Sequence, residues 1–309
     1  MNRPTFKLVS FNVQNLGRGD SPDPAAYAAK LEFVTDVLRR IDADLVVVDE
    51  VREPESFDEL ADALACYPAR LLGDPPDKLR RIQTGVLSRL PVQEQGQWLD
   101  YPAAVPGTLG GLTRFRFRRP MPWLRVALPN GETLLAVAVH LKSQRAQYED
   151  VPESEPLRRR RLLGRALSGM MRLAEAAGLR SLLDEAAERD AADHYAVLGD
   201  FNDGPESLTL SIVMALDSDD SGELVQDEKR RLFPVAARVP AARAFSYVRR
   251  GRKALLDQIL VSQKLSLCIT AAGAESQLLE ADMRYDADST AGYPRSDHAP
   301  VWAAFELPA

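Results

Sequence analysis

The stretch Ala196-Val-Leu-Gly-Asp-Phe-Asn-Asp203 decides the reading of this chain, because an apolar run of buried-strand type stops abruptly in an acid, an aromatic, an amide and a second acid. In extended backbone Asp200 and Asn202 project to the same side. A carboxylate that can accept a proton and an amide that can orient its donor then address one water molecule together. Asp, Asn and Gly also build ordinary turns at strand ends, so this segment alone leaves a structural reading open.

The same design recurs in five other segments. Asp44-Leu-Val-Val-Val-Asp-Glu-Val51 ends a buried-looking strand in Asp49 and Glu50, carboxylates of the kind that bind hard metals. Ala138-Val-His-Leu-Lys-Ser143 delivers His140 and Lys142, both suited to a phosphate. Leu255-Leu-Asp-Gln-Ile-Leu-Val-Ser262 sets Asp257 in an apolar strand, where an unpartnered carboxylate is costly. His298 is its natural partner, and backbone donors are the alternative. In Arg295-Ser-Asp-His-Ala-Pro-Val301, Asp297 can bind a metal or hold a histidine, and His298 can donate to a phosphoryl oxygen. Ser10-Phe-Asn-Val-Gln-Asn-Leu16 ends in Asn12, Gln14 and Asn15, amides that more often form turns than ligate. Of the 3 histidines, His194 precedes a strand and reads as a surface residue.

Strands are expected at 7–13, 45–51, 84–89, 113–117, 133–141, 195–201, 255–262 and 299–306, from short β-branched runs beside turn signals. Helices fill the gaps. Pro24 to Asp42 carries Leu31, Val34, Leu38 and Ile41 at helical spacing on one face. Pro156 to Arg189 carries Leu162, Leu163, Leu167 and Leu182, with an interruption expected at Gly178. Pro205 opens a third helix through Leu216.

The 309 residues are 45% hydrophobic and 27% charged, enough apolar material for a sizeable core, and no linker-like stretch divides them, so one domain over residues 1–309 is expected. The 2 cysteines are too few for a disulfide framework or a thiolate site. No signal-peptide pattern or bilayer-length apolar run is visible, which predicts a cytoplasmic protein without membrane insertion. A net charge of −6 argues against holding nucleic acid by bulk electrostatics. Basic runs at 114–119, 158–161 and 249–253 can nevertheless line a phosphate path or simply be solvated.

Taken in order, FNVQNL, VVVDEV, VHLKS, GDFND, LLDQI and SDHAP resemble the endonuclease/exonuclease/phosphatase superfamily across nearly the whole chain. The resemblance implies an α/β fold: a four-layer αββα sandwich of two mixed β-sheets flanked by helices, with the active site where strand ends converge. It implies Glu50 as the principal Mg²⁺ or Mn²⁺ ligand, Asn12 beside it, and Asp297 on the same or a second ion. It makes Asp200 the activator of the attacking water and Asn202 its orienting partner. The His298–Asp257 pair then stabilises the transition state, and His140 contacts the phosphate from the other side. HLKS, with Lys142, is similar to bacterial nuclease-like members. Gln14 stands where the family usually has an acid and Asp49 where it usually has glutamine. Because neighbouring strand residues face opposite ways, Glu50 is expected to face the site and Asp49 to face away.

The substrate expected first is nucleic acid, DNA or RNA, with Phe115, Trp123, Phe245, Tyr247, Tyr285 and Tyr293 as candidate stacking or packing aromatics. A small phosphate ester or lipid headgroup is the alternative, and a non-catalytic phosphate-ligand-binding protein the third reading. No obligate protein partner is evident. The loops 71–81, 98–111 and 279–293 are the expected specificity elements.

Overall fold

The strands that read as continuous apolar runs do so because both of their faces are covered. In the computed structural model, which describes residues 3–21, 23–75, 82–103, 105, 116–148, 151–216, 230–280 and 296–308, β2 (Leu45–Val51) sends Leu45 and Val47 to one buried cluster and Val46 and Val48 to another. β7 (Thr133–His140) likewise sends Leu134 and Ala136 inward and Leu135 and Val137 outward, and β8 (His194–Asp200) does the same with Leu198 and Val197. The inner cluster lies between two sheets. Each outer cluster lies between a sheet and its helices, which gives the expected αββα layering.

β1 (Thr5–Leu16), β2, β3 (Ala69–Leu72), β4 (Gln83–Ser88), β13 (Ile269–Ala274) and β14 (Val301–Glu306) form the first sheet, in the order β13-β14-β1-β2-β4-β3. Together with β5 (Val92–Asp100), β6 (Arg116–Ala127), β9 (Leu232–Pro234) and β12 (Asp257–Ser262), the strands β7 and β8 form the second, in the order β5-β6-β7-β8-β12-β9. A small hairpin of β10 (Tyr247–Arg249) and β11 (Arg252–Ala254) stands apart.

Each large sheet contains one parallel pair, and a parallel pair needs a crossover. Helix α1 (Pro24–Ile41) supplies it between β1 and β2, and α3 (Leu157–Glu188) between β7 and β8. The carboxyl ends of all four strands therefore open on one edge of the sandwich. The antiparallel β12 and β14 begin at that edge, so residues at or just before their starts join the same place.

Local signals explain most boundaries. Asp23 caps α1 by accepting from the Ala26 N–H, Pro24 opens it, and Asp42 closes it in the left-handed conformation. Val34, Leu38 and Ile41 are buried as their spacing predicts. Helix α2 (Pro54–Leu64) covers the same sheet. The helix expected from Pro205 to Leu216 is shorter, α4 (Leu208–Val213), capped by Ser207. Two short helices, α5 (Gln263–Leu267) and α6 (Gln277–Glu280), flank β13.

Helix α3 corrects two expectations. It runs without a break through Gly178, which lies where an added Cβ would stand 2.8 Å from Tyr101, so the glycine serves close packing rather than termination. Its first half does not bury the expected leucines: Leu162 is 61% and Leu163 43% exposed. Gly164, Ser168, Arg172 and Glu175, one or two turns apart, face inward instead. His194 is also not a surface residue. It is 2% exposed and its Nε2 lies 2.9 Å from Glu132. Cys66 is exposed and Cys268 half-buried, and neither is paired. The strand expected at 113–117 is visible from Arg116 onward as β6, its earlier residues lying outside the described ones.

Candidate active site

Three registers bring the motif residues together. Asp200 pairs with His140 across the parallel β7–β8 ladder and with Asp257 across the antiparallel β8–β12 ladder, while Asn12 pairs with Asp49 across β1–β2. Gly199 makes the first approach possible. It has φ +149°, and an added Cβ would meet the Val139 carbonyl oxygen at 1.8 Å.

Beyond Asn12 and Val48 the regular ladders of β1 and β2 break, and Gln14, Asn15 and Glu50 take positive φ values of 49°, 57° and 64°. Each such backbone costs about 1–3 kcal/mol and persists only where the surroundings enforce it. The turn at Glu50 aims its carboxylate into a cavity, whereas Asp49 points between the sheets. There Asp49 accepts from Thr84 Oγ1 at 2.7 Å and from the Asp200 backbone N–H at 2.9 Å.

Asp200 is held from several directions. Its Oδ1 accepts from the Asn202 N–H at 2.7 Å, and its Oδ2 accepts from the side-chain amides of Asn12 and Asn202, each at 3.1 Å. His140 Nε2 stands 3.6 Å from the same oxygen. Asn202, at φ +55°, is tied down by donating to the Leu141 carbonyl at 3.0 Å. Asn12 also donates to Glu50 at 3.3 Å, and its own oxygen accepts from the Gln14 N–H. Asn12 was expected as a metal ligand beside Glu50. Here its amide nitrogen bridges Glu50 and Asp200, and its oxygen accepts from the Gln14 N–H.

His298 Nδ1 lies 2.7 Å from Asp257 Oδ2, with Asp257 fully buried, so the pairing inferred from an apolar strand is present. Ser296 fixes the preceding turn by donating to the Asn12 carbonyl and accepting from the His298 N–H. Tyr247 packs its ring 4.8 Å from the imidazole. Glu50, His140, Asp200, Asn202, Asp297 and His298 all line one cavity of about 1380 Å³.

The sequence profile of the Endonuclease/Exonuclease/phosphatase family matches residues 9–298, a span that begins in β1 and closes on His298 itself. The chain belongs to this family. Its members are metal-dependent hydrolases of phosphoester bonds, and this chain is such an enzyme. Solved family structures share the fold. The endonuclease/exonuclease/phosphatase from Bacteroides vulgatus matches with a TM-score of 0.62 at 16% identity, over 98% of this chain and 99% of that one. Truncated Caenorhabditis elegans TDP2 matches with a TM-score of 0.57 at 14% identity, over 98% of each chain. The mannosyl-6-phosphatase of Bacteroides thetaiotaomicron matches with a TM-score of 0.62 at 14% identity, over 96% and 98%. No curated protein sequence matches the chain significantly.

The donor set fits the divalent cation that the family uses. Asp200, Asp257 and His298 offer ligand atoms within 4.8 Å of one another, but His298 Nδ1 already engages Asp257. Glu50 and Asp297 are the carboxylates left facing the cavity, and oxygen donors of this kind suit a hard ion. Burial raises the Asp297 carboxyl above its ordinary range and Glu50 adds to this, against His298, which lowers it. Burial is thus the main cause, and the neighbouring Glu50 carboxylate is a smaller one. Lys30, donating to the Gln14 carbonyl, is the nearby cation. Burial pulls it down to about 8 although Asp297 and Glu50 support its charge.

Burial likewise pushes Asp200 up to about 7, opposed by His298 and reinforced by Asp257. Burial, Arg119 and His298 all hold His140 well below the ordinary histidine range, so its imidazole is neutral at pH 7. Burial acts in the same sense on His298, yet the Asp257 carboxylate overcomes it and raises His298 well above that range. Two histidines facing one cavity thus carry different charges.

Lys142, expected on the substrate phosphate, is placed away from the cavity. Its ammonium donates to the Ser143 and Arg145 carbonyls, each at 3.0 Å, it is 5% exposed, and it does not line the cavity. Burial, with Arg118 and Arg119 nearby, lowers it to about 8. Gln14, standing where an acid was expected, turns its oxygen to the Asp297 N–H at 3.0 Å. Of the candidate aromatics, Tyr247 lines the cavity, Phe245 is buried beside Lys253, and Trp123 packs over Gly96. Phe115, Tyr285 and Tyr293 lie outside the described residues, as do 76–81, 104, 106–111 and 281–293 of the expected specificity loops.

Sequence reasoning missed the hydroxyls of Thr84, Ser246 and Ser296. Ser246 accepts from the N–H groups of Leu256 and Asp257, both at 3.0 Å, and so sets the start of β12. It also missed the inward polar stripe of α3. Glu175 accepts from the Lys142 N–H at 2.6 Å and the Arg118 N–H at 3.1 Å, Arg172 donates to the Lys142 carbonyl, and Ser168 donates to the Arg145 carbonyl. The helix thereby clamps the loop after His140. Its i, i+4 spacing of Gly, Ser and Arg was the available signal.

Proposed function

We propose that the protein is a Mg²⁺- or Mn²⁺-dependent phosphodiesterase acting on DNA or RNA. The whole chain serves as one catalytic unit, since the site draws on residues from Asn12 to His298, and a cytoplasmic location suits such a substrate. The observation that carries this reading is the convergence of Asp200, a charged His298 backed by Asp257, and the carboxylates Glu50 and Asp297 on one cavity.

Asp200 takes the proton of the attacking water, whose oxygen bonds to phosphorus as the ester bond on the opposite side breaks. Asn202 and Asn12 fix the Asp200 carboxylate by donating to Oδ2. Protonated His298 donates to a phosphoryl oxygen, where negative charge builds up, and Asp257 keeps it charged and aimed. Neutral His140 contributes a second donor from the β7 side. Glu50 and Asp297 would hold a divalent cation, which would supply neutralisation of the charge that builds up during the reaction.

Arginines around the cavity, Arg119, Arg145, Arg161, Arg165, Arg249, Arg250 and Arg252, favour a polyanion despite the net charge of −6. A second reading, hydrolysis of a small phosphorylated metabolite, draws support from that net charge and from the sugar-phosphate phosphatase among the structural neighbours. The deciding experiment offers supercoiled plasmid, single-stranded DNA, RNA, a panel of sugar phosphates and a bis-aryl phosphodiester to wild type, Asp200→Ala and His298→Ala, with Mg²⁺, Mn²⁺ or EDTA. Metal-dependent strand cleavage lost in both variants is expected. Turnover of sugar phosphates with intact polynucleotides would replace this reading with the second.

A further inference from the structure

Helix α3 turns its Gly164, Ser168, Arg172 and Glu175 stripe inward, and this leaves Arg161 and Arg165, one turn apart, facing the active-site cavity. The β10–β11 hairpin brings a second pair, because Arg249 and Arg252 are cross-strand partners and line the same cavity. None of these four guanidinium groups has an acidic partner among the described residues, although acids outnumber bases in the chain. Arginine in solvent costs little to leave unpaired, so the lack of a partner alone proves nothing. The concentration of guanidinium charge on two elements around one catalytic floor is what requires a reason.

The hairpin also touches the catalytic machinery directly. Tyr247 forms a bridge to His298, and Ser246, just before it, sets the start of β12. On the other element, Ser168 and Glu175 clamp the loop carrying Arg145. Both arginine pairs thus sit on rigid supports tied to the site. The cavity, at about 1380 Å³, is larger than the roughly 300–1000 Å³ that encloses a small ligand.

We infer that Arg161 with Arg165, and Arg249 with Arg252, are two subsites for non-reacting phosphates, so that the substrate is an oligonucleotide strand carrying phosphates beyond the scissile one. This rests on the nuclease reading above. A guanidinium pair matches the oxygens of a phosphate diester better than lysine does. Tyr247, beside the hairpin pair, offers a face on which a base can stack.

The test compares wild type with Arg161→Ala/Arg165→Ala and with Arg249→Ala/Arg252→Ala, after circular dichroism confirms that each is folded. Each is assayed with Mg²⁺ on a single-stranded octanucleotide, a dinucleotide and a bis-aryl phosphodiester that has no flanking phosphate. Each double substitution is expected to raise KM for the octanucleotide about tenfold more than KM for the aryl ester. The log–log salt dependence of octanucleotide kcat/KM should become shallower by about 0.7 for each phosphate that is no longer neutralised. Wild type should prefer the octanucleotide to the dinucleotide, and each variant should lose much of that preference. Equal effects on all substrates, or an unchanged salt slope, would overturn the subsites while leaving the nuclease reading intact. Failure of wild type to cleave either oligonucleotide, with the aryl ester turned over, would overturn both.

Discussion

Replacing Gly199 with alanine strikes the point where fold and site depend on one another. The new methyl would stand 1.8 Å from the Val139 carbonyl oxygen, and relief to an ordinary contact near 3.5 Å requires β7 and β8 to part by roughly 1.5 Å. Two ladder hydrogen bonds adjoining that point are then broken, at a net cost of about 1 kcal/mol each. The backbone at φ +149° adds strain of about 1–3 kcal/mol for an L-residue. The sum, about 3–5 kcal/mol, is a large part of the 5–15 kcal/mol that typically holds a domain together. Urea unfolding followed by circular dichroism should show the midpoint falling by about 1–1.7 M, taking a slope of about 3 kcal/mol/M. Gly131→Ala is the control. Gly131 also has positive φ, +89°, but nothing lies within 4 Å of its added Cβ, so only about 1 kcal/mol of strain is expected. If Gly199→Ala unfolded at the wild-type midpoint with an unchanged slope, the close approach that positions Asp200 beside His140 would be wrong.

Asp257→Asn keeps a hydrogen-bond acceptor and removes the largest charge holding His298 protonated, leaving only Asp200 and Asp297 to oppose burial; its imidazole should titrate lower than in wild type by NMR, and kcat at neutral pH should fall about 10²-fold or more. Glu50→Gln should raise the Mg²⁺ concentration needed for half-maximal activity at least about tenfold without moving the unfolding midpoint, and EDTA should abolish wild-type activity reversibly. Lys142, lowered to about 8 in the folded protein against 10.5 for the free side chain, makes the unfolded chain bind more protons between those values. Stability from this group therefore rises with pH through that window. The urea midpoint of wild type should gain more from pH 7.5 to 9.5 than that of Lys142→Met, and equal gains would show that the ammonium is not desolvated.

The strands bearing Asn12, Glu50, His140, Asp200 and Asp257 were legible because each is buried on both faces and ends abruptly in polar residues. Their order then implied the two facing sheets. Edge elements were not legible. β5, with Gln93, Glu94, Gln95 and Gln97, has no fully buried residue and no apolar alternation, and the three-residue strands of the β10–β11 hairpin are too short to show a period. Helix α3 misled for a different reason. Apolar spacing marks the buried face only when the partner surface is apolar, and here the partner is a loop offering backbone N–H and C=O groups, which Ser168, Arg172 and Glu175 satisfy. The Lys142 ammonium serves the same loop, at the Ser143 and Arg145 carbonyls, which its place in HLKS did not foretell. His194 read as exposed because its acceptor, Glu132, lies across the β7–β8 ladder and 62 residues earlier in the chain. The facing of Glu50 followed from strand alternation, but its positive φ, which aims it into the cavity, did not.

The proposed role of Asp200 is to take the proton of the attacking water at a metal-assisted phosphoester site. The most direct measurement is kcat for the bis-aryl phosphodiester with saturating Mg²⁺ in wild type and Asp200→Asn, whose amide preserves shape and hydrogen-bonding reach without accepting the proton. The account predicts a fall of about 10³-fold with KM within a few-fold and an unchanged unfolding midpoint. Retention of kcat within about tenfold of wild type would contradict it.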